Sequence, residues 1–413
     1  MVHTSAVSGF RALETFGASS SQKKETHWLQ VVSHLSPRYG GIASSVPILA
    51  RATEAVSRHA CPIAGFCDRE ELEQVPEDQR RTTRIFPPHR IPWMFDSGLK
   101  GNLRDAISSA TGVHIHGLWE THCMTAADMA RSCKRPYIIS AHGMLELWAL
   151  RSKRLKKALY AALVEIRRMQ RAACLRACSA AEVDDYRRLG LSNPIAIVPN
   201  GVDAQPGVTA DSFHRAFPNL KGKRIILFLG RIHQKKGLPL LLRAWARNAH
   251  RASDTHLVIA GPDSDNSLPH LKKLAEELRL SSSVSFTGML TGVHKWSALA
   301  AASLFVLPSY SEGFSMSVLE ALAMGVPVLV TTQCNIPEVE LHACGWVIPP
   351  AAGPLEQVLA DFLSLSSEDV ARIGARGREL VRNRFSSMVV GRQLAQVYDW
   401  LQGGNKPTAV EIA

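Results

Sequence analysis

Two glutamates separated by seven residues form the strongest chemical pattern in this sequence. Glu312 and Glu320 are the first and last residues of Glu-Gly-Phe-Ser-Met-Ser-Val-Leu-Glu, which follows an apolar run typical of a strand. The pattern predicts a helix that begins near Ser315 or Met316, and its free backbone N–H groups suit a phosphate. Glu320 then lies about one turn into the helix, where it can accept hydrogen bonds from a ribose diol. Glu312 lies in the preceding loop and can reach sugar hydroxyls.

Both glutamates also have plainer interpretations. Glu312 fits a charge that the helix dipole favours, and Glu320 fits an exposed acid on the helix. The residues flanking Glu320 within 319–323 are all apolar. A carboxylate in such surroundings needs hydrogen-bonding partners, which argues against a solvated Glu320.

A basic segment, Gly230-Arg231-Ile232-His233-Gln234-Lys235-Lys236-Gly237, stands between a predicted strand and a predicted helix. It therefore lies at the ligand-facing end of its sheet. Arg231 offers a planar fork to two phosphate oxygens, and Lys236 offers a mobile point charge. Together they can neutralise a diphosphate leaving group without a divalent metal. The alternative is a pair of solvated surface cations.

Two positions in the first half of the chain also fall at predicted strand ends. Gly40 and Gly41 stand between a strand and a helix, where glycine lets backbone amides approach a diphosphate. His142 and Gly143 close the predicted strand Pro136–Ala141, so the imidazole is expected at the ligand-binding edge of the sheet. The alternatives are a plain tight turn for the glycines and a structural role for the histidine.

The sequence contains two weak metal-binding patterns. Asp263-Ser264-Asp265 has the Asp-any residue-Asp form of metal-dependent sites, but Arg231 and Lys236 already meet the charge of a phosphate. Cys174 and Cys178 lie four residues apart in a predicted strand and lack a second ligand pair. We therefore expect no metal and no required cofactor.

Alternating strand and helix patterns must position these residues. The rhythm predicts parallel strands with crossover helices. It restarts after Pro199-Asn200-Gly201, and the polar stretch from there to Lys223 is interpreted as a hinge region. The predicted fold is α/β, with two doubly wound, Rossmann-like domains that face each other across a cleft. Strands are expected at 28–34, 112–116, 136–141, 173–179, 224–229, 256–260, 284–286, 304–307 and 328–331.

The net charge of +12 is concentrated in one segment. Between Arg151 and Arg176, nine Lys and Arg residues stand against the single acid Glu165. Apolar residues recur there at helical spacing, which predicts an amphipathic helix. Such a helix suits an anionic membrane surface, and a solvated face on a packed helix is an alternative of equal weight. The membrane-facing candidates are Arg151, Lys153, Arg154, Lys156 and Lys157.

Other features limit the class of function. No apolar run is long enough to span a membrane, and residues 1–25 lack the apolar core of a secretory signal. Eight cysteines form no disulfide framework at this length. We expect a cytoplasmic protein, with a peripheral position at the inner face of the cytoplasmic membrane as a second expectation. Nucleic-acid binding is disfavoured, because the cations cluster on one helix without interleaved aromatic residues.

Taken together, the motifs resemble those of the group 1 glycosyltransferases, glycosyltransferase family 4. The spacing of Glu312 and Glu320, followed by Ala-Met-Gly-Val-Pro-Val-Leu, resembles the family signature. The segment 230–237 resembles the diphosphate-binding loop, Pro199–Asp203 the interdomain turn, and Tyr39-Gly40-Gly41 the amino-terminal glycine loop. The resemblance covers about residues 27–400.

This resemblance implies a GT-B fold, retention at the anomeric carbon and no required metal. The donor would be a nucleotide diphosphate sugar. The acceptor would be a glycan or lipid-linked molecule, because 142–151 resembles bacterial transferases of exopolysaccharide or lipopolysaccharide synthesis. The implied catalytic residues are His142, Arg231, Lys236 and Glu312, and the implied donor-binding residues are Gly40, Gly41, Gly230, Gly313, Phe314, Ser315, Met316 and Glu320.

The predicted domain boundaries follow from the same motifs. A mobile arm occupies 1–25, an acceptor-binding domain 26–203 and a nucleotide-sugar-binding domain 204–385, and a C-terminal helix and tail at 386–413 pack back on the first domain. Two alternatives remain: a nucleotide sugar epimerase of the same fold, against which the glutamate spacing argues, and a basic nucleic-acid or membrane-binding protein without enzyme activity.

Overall fold

The computed structural model describes residues 26–32, 34–35, 40–66, 83–86, 97–145 and 164–412. Three predicted features therefore lie outside the described residues. They are the N-terminal arm at 1–25, Tyr39 of the glycine loop, and residues 151–163 of the basic segment, which contain the candidates Arg151, Lys153, Arg154, Lys156 and Lys157.

The first domain is built on a largely parallel sheet in the order β15-β8-β7-β6-β5-β1-β3-β4, with β2 also paired to β1. Only β15 among these described strands runs antiparallel, against β8. Its central strands β5, β6 and β7 are buried along their length, as expected for a sheet covered on both faces. Nine strands among the described residues form this sheet. They are β1 (Thr26–Val32), β2 (His59–Ala60), β3 (Ile63–Phe66), β4 (Thr83–Phe86), β5 (Gly112–His116), β6 (Tyr137–Ser140), β7 (Cys174–Ala177), β8 (Ile195–Ile197) and β15 (Val410–Glu411).

Helices flank this sheet. The described ones are α1 (Gly41–Val56), α2 (Ser97–Ser108), α3 (Thr121–Ser132) and α4 (Ala180–Arg188), with further helical residues at 164–170.

The second domain contains a fully parallel sheet in the order β11-β10-β9-β12-β13-β14. Its buried apolar side chains form a single core, whose members lie between Val202 and Phe385 in the sequence. The strands are β9 (Arg224–Leu229), β10 (Thr255–Ala260), β11 (Val284–Gly288), β12 (Ala302–Leu307), β13 (Val328–Thr331) and β14 (Gly345–Ile348). The helices are α5 (Asp211–Ala216), α6 (Leu238–Asn248), α7 (Leu268–Glu277), α8 (Gly292–Ala301), α9 (Met316–Ala323), α10 (Glu338–Leu341), α11 (Ala352–Leu363) and α12 (Ser367–Leu380).

These two sheets confirm the predicted α/β fold of two doubly wound domains. The interpretation of the polar stretch up to Lys223 as a hinge region is partly wrong. Its middle forms α5, because Phe213 is buried in the second core and its backbone N–H donates to Ser297 Oγ at 2.8 Å. This part of the chain therefore belongs to the second domain.

The chain crosses between the domains twice, at neighbouring points. Val202 N–H donates to Phe385 O at 2.9 Å, and Ser387 N–H donates to Asp203 Oδ1 at 3.1 Å. After the second crossing, helix α13 (Ser387–Trp400) returns to the first domain and packs on α1. None of the described helices has the length and apolarity that a membrane span requires.

Candidate active site

The second domain places its cations in the loop that follows β9. This loop runs from Gly230 through a short 3₁₀ turn, Gln234–Lys236, into α6. Gly237 joins the turn to the helix at φ 67°, and a Cβ there would lie 2.1 Å from Pro308 O. Only glycine fits this junction, so the loop is held against the end of β12.

Lys236 and Glu312 form a buried ion pair at the centre of this loop. Lys236 Nζ lies 2.5 Å from Glu312 Oε1, and Ser309 Oγ donates to the same oxygen at 2.7 Å. Burial alone would raise the pKa of Glu312, but the Lys236 ammonium and the nearby Lys235 outweigh burial and lower that pKa. The carboxylate is therefore ionised and cannot serve as a proton donor near neutral pH.

Glu320 has a basic partner that sequence reasoning missed. It is 6% exposed on α9, and Lys295 Nζ donates to its Oε1 at 2.7 Å. The same ammonium lies 4.7 Å from the centre of the Trp296 ring. The apolar surroundings of Glu320 indicated that it needs partners, but no pattern in the sequence pointed to Lys295 on the distant helix α8.

The glycine loop of the first domain faces the cations of the second. A Cβ added at Gly40 would lie 3.5 Å from Arg231 Nε, and one at Gly41 would lie 3.7 Å from Met316 Cγ. Gly40 has φ 101°, a backbone conformation that favours glycine. The start of α1 and the start of α9 thus approach each other across the cleft.

The two domains also touch at a second point beside the cleft. A Cβ added at Gly313 would lie 2.8 Å from Gly143 Cα and 2.9 Å from His142 O. His142 itself adopts φ 53°, which is rare for a residue with a side chain. Glu182 steadies this turn, since its carboxylate accepts from Gly143 N–H at 2.8 Å and from Cys178 N–H at 2.7 Å.

His142 is uncharged in this setting. Burial lowers its pKa to about 3, and the nearby positive charge of Arg176 acts in the same direction. Arg176 is itself fully buried and donates to Val198 O at 2.9 Å and Pro199 O at 2.8 Å. It therefore anchors the turn that leads into the second domain.

The cleft between the domains encloses about 1080 Å³. All twelve residues that the sequence predicted as catalytic or donor-binding line it, so the structure brings them together. The remaining members of that set are Gly230, which follows β9, Phe314, whose ring centre lies 5.8 Å from that of Phe385, and Ser315, which precedes α9.

The Asp-Ser-Asp pattern shapes a loop at the edge of the cleft. Asp263 accepts from Ser267 N–H at 3.0 Å and Leu268 N–H at 3.2 Å at the start of α7. Asp265 accepts from Gln234 N–H at 3.0 Å. Among the described residues, no group of three or more His, Cys, Asp or Glu side chains is arranged to hold a metal ion.

Two family models together match most of the chain. The model described as Glycosyltransferase Family 4 matches residues 39–206, which include α1 and the strands β5 to β8 of the first domain. The model described as Glycosyl transferases group 1 matches residues 210–380, which form the second. The chain belongs to the group 1 glycosyltransferases.

Similar proteins include other glycosyltransferases. This group 1 glycosyltransferase is 31% identical over 182 residues to the putative colanic acid biosynthesis glycosyltransferase WcaL of Escherichia coli K12, a match covering 42% of this chain and 44% of WcaL. The match thus spans less than half of the relative's length. It is 24% identical over 324 residues to the GDP-mannose:cellobiosyl-diphosphopolyprenol alpha-mannosyltransferase of Xanthomonas oryzae, covering 73% of this chain and 77% of that protein.

A solved structure supports the fold. The structure of Anabaena HepE in complex with UDP and glucose superposes with a TM-score of 0.74 at 16% identity, covering 91% of this glycosyltransferase and all of HepE. At this identity the likeness concerns the fold alone, which is GT-B, as the sequence predicted.

Proposed function

We propose that this group 1 glycosyltransferase moves a sugar from a nucleotide diphosphate sugar to a glycan or lipid-linked acceptor, with retention at the anomeric carbon and no required metal. The observation that carries the proposal is the convergence of positive charge in one cleft. Arg231, Lys236 and the free N–H groups at the start of α9 all line it. Such an arrangement suits a diphosphate, whose charge it neutralises without a divalent ion.

The nucleoside would lie on the second domain. Glu320 would accept hydrogen bonds from the ribose hydroxyls, and its ion pair with Lys295 holds the carboxylate in place. Glu312 would contact hydroxyls of the donor sugar, since Lys236 and Ser309 both bind its Oε1 and thereby fix the carboxylate at the cleft.

The charge states of the cleft support same-face attack. Glu312 is ion-paired and has a lowered pKa, so it is no acid, and its ion pair disfavours it as a nucleophile. The bond between the anomeric carbon and the phosphate oxygen would break while the acceptor oxygen bonds to that carbon. The departing phosphate oxygen takes the proton of the acceptor hydroxyl. The protein then contributes mainly by stabilising the leaving diphosphate, which is electrostatic preorganisation.

The acceptor class rests on the names of the relatives. WcaL is named for colanic acid biosynthesis, and the Xanthomonas enzyme is named for an acceptor with a diphosphopolyprenol carrier. We infer bacterial cell-surface polysaccharide synthesis at the inner face of the cytoplasmic membrane. The basic segment 151–157 would provide the peripheral contact with anionic lipid.

A panel of nucleotide sugars tests the donor. We expect one or a few of them to be slowly hydrolysed, with release of the nucleotide, and the anomeric configuration of the first product, followed by NMR, to match that of the donor. Excess chelator should leave the rate unchanged. Product of the opposite configuration would disprove retention, and activity that vanishes in chelator and returns with Mg²⁺ or Mn²⁺ would disprove metal independence.

A liposome experiment tests the membrane contact. Replacing Arg151, Lys153, Arg154, Lys156 and Lys157 with glutamine should reduce binding to vesicles that contain anionic lipid, and should do so less at high salt. Unchanged binding would remove this segment from the membrane contact.

A further inference from the structure

A buried chain of hydrogen bonds leads from His142 in the cleft to the C-terminal helix. His142 Nε2 lies 3.0 Å from His116 Nδ1, and His116 Nε2 lies 3.0 Å from Gln30 Oε1. Gln30 Nε2 donates to Tyr398 Oη at 3.0 Å, and Tyr398 Oη lies 2.9 Å from His114 Nδ1. Gln30, His114 and His116 have no exposed surface. Each polar atom in this chain must therefore find its partner within the protein.

One backbone carbonyl sets the direction of every proton in the chain that leads to His142. Gln30 Nε2 lies 2.9 Å from Trp28 O, which can only accept. The Gln30 amide must therefore turn its NH₂ group toward Trp28 and its oxygen toward His116. It follows that His116 carries its proton on Nε2 and donates it to Gln30 Oε1. His116 Nδ1 is then a lone pair.

The lone pair on His116 Nδ1 in turn fixes the ring of His142. His142 Nε2 must carry a proton to form the hydrogen bond to His116. Because the ring is neutral, its Nδ1 has no proton and can only accept a hydrogen bond. Burial lowers the pKa of both His116 and His142, which agrees with two neutral imidazoles in series.

We propose that Gln30 and His116 are positioning residues that hold His142 as a hydrogen-bond acceptor toward a hydroxyl of the donor sugar. The inference rests on the proposed function, because it needs a sugar hydroxyl in the cleft. A neutral ring with a free lone pair suits this place. It binds a hydroxyl hydrogen and does not repel the positive charge that develops at the anomeric carbon as the phosphate departs.

The rest of the turn supports this assignment. His142 is held at φ 53°, and Glu182 binds the N–H of the next residue, Gly143. The backbone thus fixes where the ring lies, and the chain through His116 fixes which of its nitrogens carries the proton. Gln30 reaches the cleft only through His116, so it acts without touching a substrate.

The tautomer of His142 in the wild-type protein tests the proposal directly. In protein labelled with ¹⁵N-histidine, two-bond ¹⁵N–¹H correlations at pH 7.5 distinguish a protonated from an unprotonated ring nitrogen. The His142→Gln variant identifies the signals of His142 by their disappearance. We expect protonated Nε2 and unprotonated Nδ1. A proton on Nδ1, or on both nitrogens, would overturn the proposal without any need for a functional assay.

The hydrogen-bond chain from Gln30 through His116 to His142 is called the relay below. Two variants distinguish the effect of breaking the relay from the effect of losing any buried hydrogen bond. Gln30→Leu leaves the Nε2 proton of His116 without an acceptor, so that proton is expected to move to Nδ1 and the proton of His142 to its own Nδ1. Tyr398→Phe is the matched control. It removes a buried hydroxyl from the other side of the Gln30 amide, but Trp28 O still orients the amide, so the tautomer of His142 should not change.

Kinetics with the hydrolysed nucleotide sugar complete the test. Gln30→Leu should lower kcat by about tenfold more than Tyr398→Phe does, with a smaller change in KM, because His142 with its proton on Nδ1 no longer accepts a hydrogen bond from the sugar hydroxyl. If Gln30→Leu retains the wild-type tautomer of His142, the relay is refuted. If the wild-type tautomer is found but no nucleotide sugar is hydrolysed, the proposed function fails while the relay stands.

Discussion

Replacing Lys236 with methionine tests whether its ammonium both stabilises the second domain and serves the donor diphosphate. The side chains of Lys236 and Glu312 are 10% and 9% exposed, and their charged atoms lie 2.5 Å apart. Methionine keeps most of the volume but leaves the carboxylate buried without its main partner. Breaking a buried pair in this way costs about 3 to 5 kcal/mol of unfolding free energy. Loss of the phosphate contact should also lower kcat by about a hundredfold.

The double variant Lys236→Met, Glu312→Gln separates the two effects. With both charges removed, no unpaired ion is buried, so most of the lost unfolding free energy should return. The catalytic loss should remain, because methionine cannot bind phosphate. Urea denaturation followed by tryptophan fluorescence measures stability, and release of nucleotide from the donor measures turnover.

Two results would refute this reasoning about Lys236. A Lys236→Met protein as stable as the wild type would show that the pair with Glu312 does not form in solution. A double variant with near-normal kcat would show that the ammonium has no part in the reaction.

Three further predictions concern other parts of the molecule. Glu320→Ala should weaken donor binding by about 1.5 to 3 kcal/mol in calorimetry, and Lys295→Met should weaken it less; equal affinity of Glu320→Ala and the wild type would exclude the ribose contact. Burial raises the pKa of Glu165 from 4.5 to about 7. The native state therefore binds the proton of Glu165 more tightly than the unfolded state does. The unfolding free energy falls as the pH rises from 4.5 through about 7, because the buried carboxyl group then loses that proton. Glu165→Gln should therefore gain about 3 kcal/mol at pH 8 and almost nothing at pH 4.5, with an equal gain at both pH values contradicting the assignment. Gly313→Ala would place a Cβ 2.8 Å from backbone of the first domain and should lower turnover by about tenfold or more, whereas Gly353→Ala, whose Cβ would meet no atom within 4 Å beyond its chain neighbours and its own helix, should not.

The fold could be predicted largely from local pattern. Most strands of both domains are short, largely apolar runs followed by helical periodicity, and the strands predicted at 112–116, 224–229 and 328–331 have those bounds in the structure. The hinge interpretation failed at α5 because this helix has only six residues, too few to show a clear helical period in the sequence. Only the second core explains why it folds there.

The site residues were predictable where they follow a strand directly. Arg231, Glu312 and His142 all fall in such loops, and the doubly wound fold brings these loops to one cleft. Lys295 and Gln30 gave no such signal. Gln30 is opposite His114 in the pairing of β1 with β5, so its contact with His116 depends on strand register, which the sequence alone does not reveal.

The return of α13 to the first domain has a consequence for how the chain is made. Tyr398 stacks on Trp28 with ring centres 4.1 Å apart, and Gly391 lets α13 approach the backbone of α1 at Ala52. During synthesis the second domain, which is continuous in sequence, can fold as soon as it emerges. The first domain must wait, with the face of Trp28 that Tyr398 covers still exposed, until residue 400 has left the ribosome. Newly made chains therefore expose an aromatic surface for the longest time on the domain that was translated first.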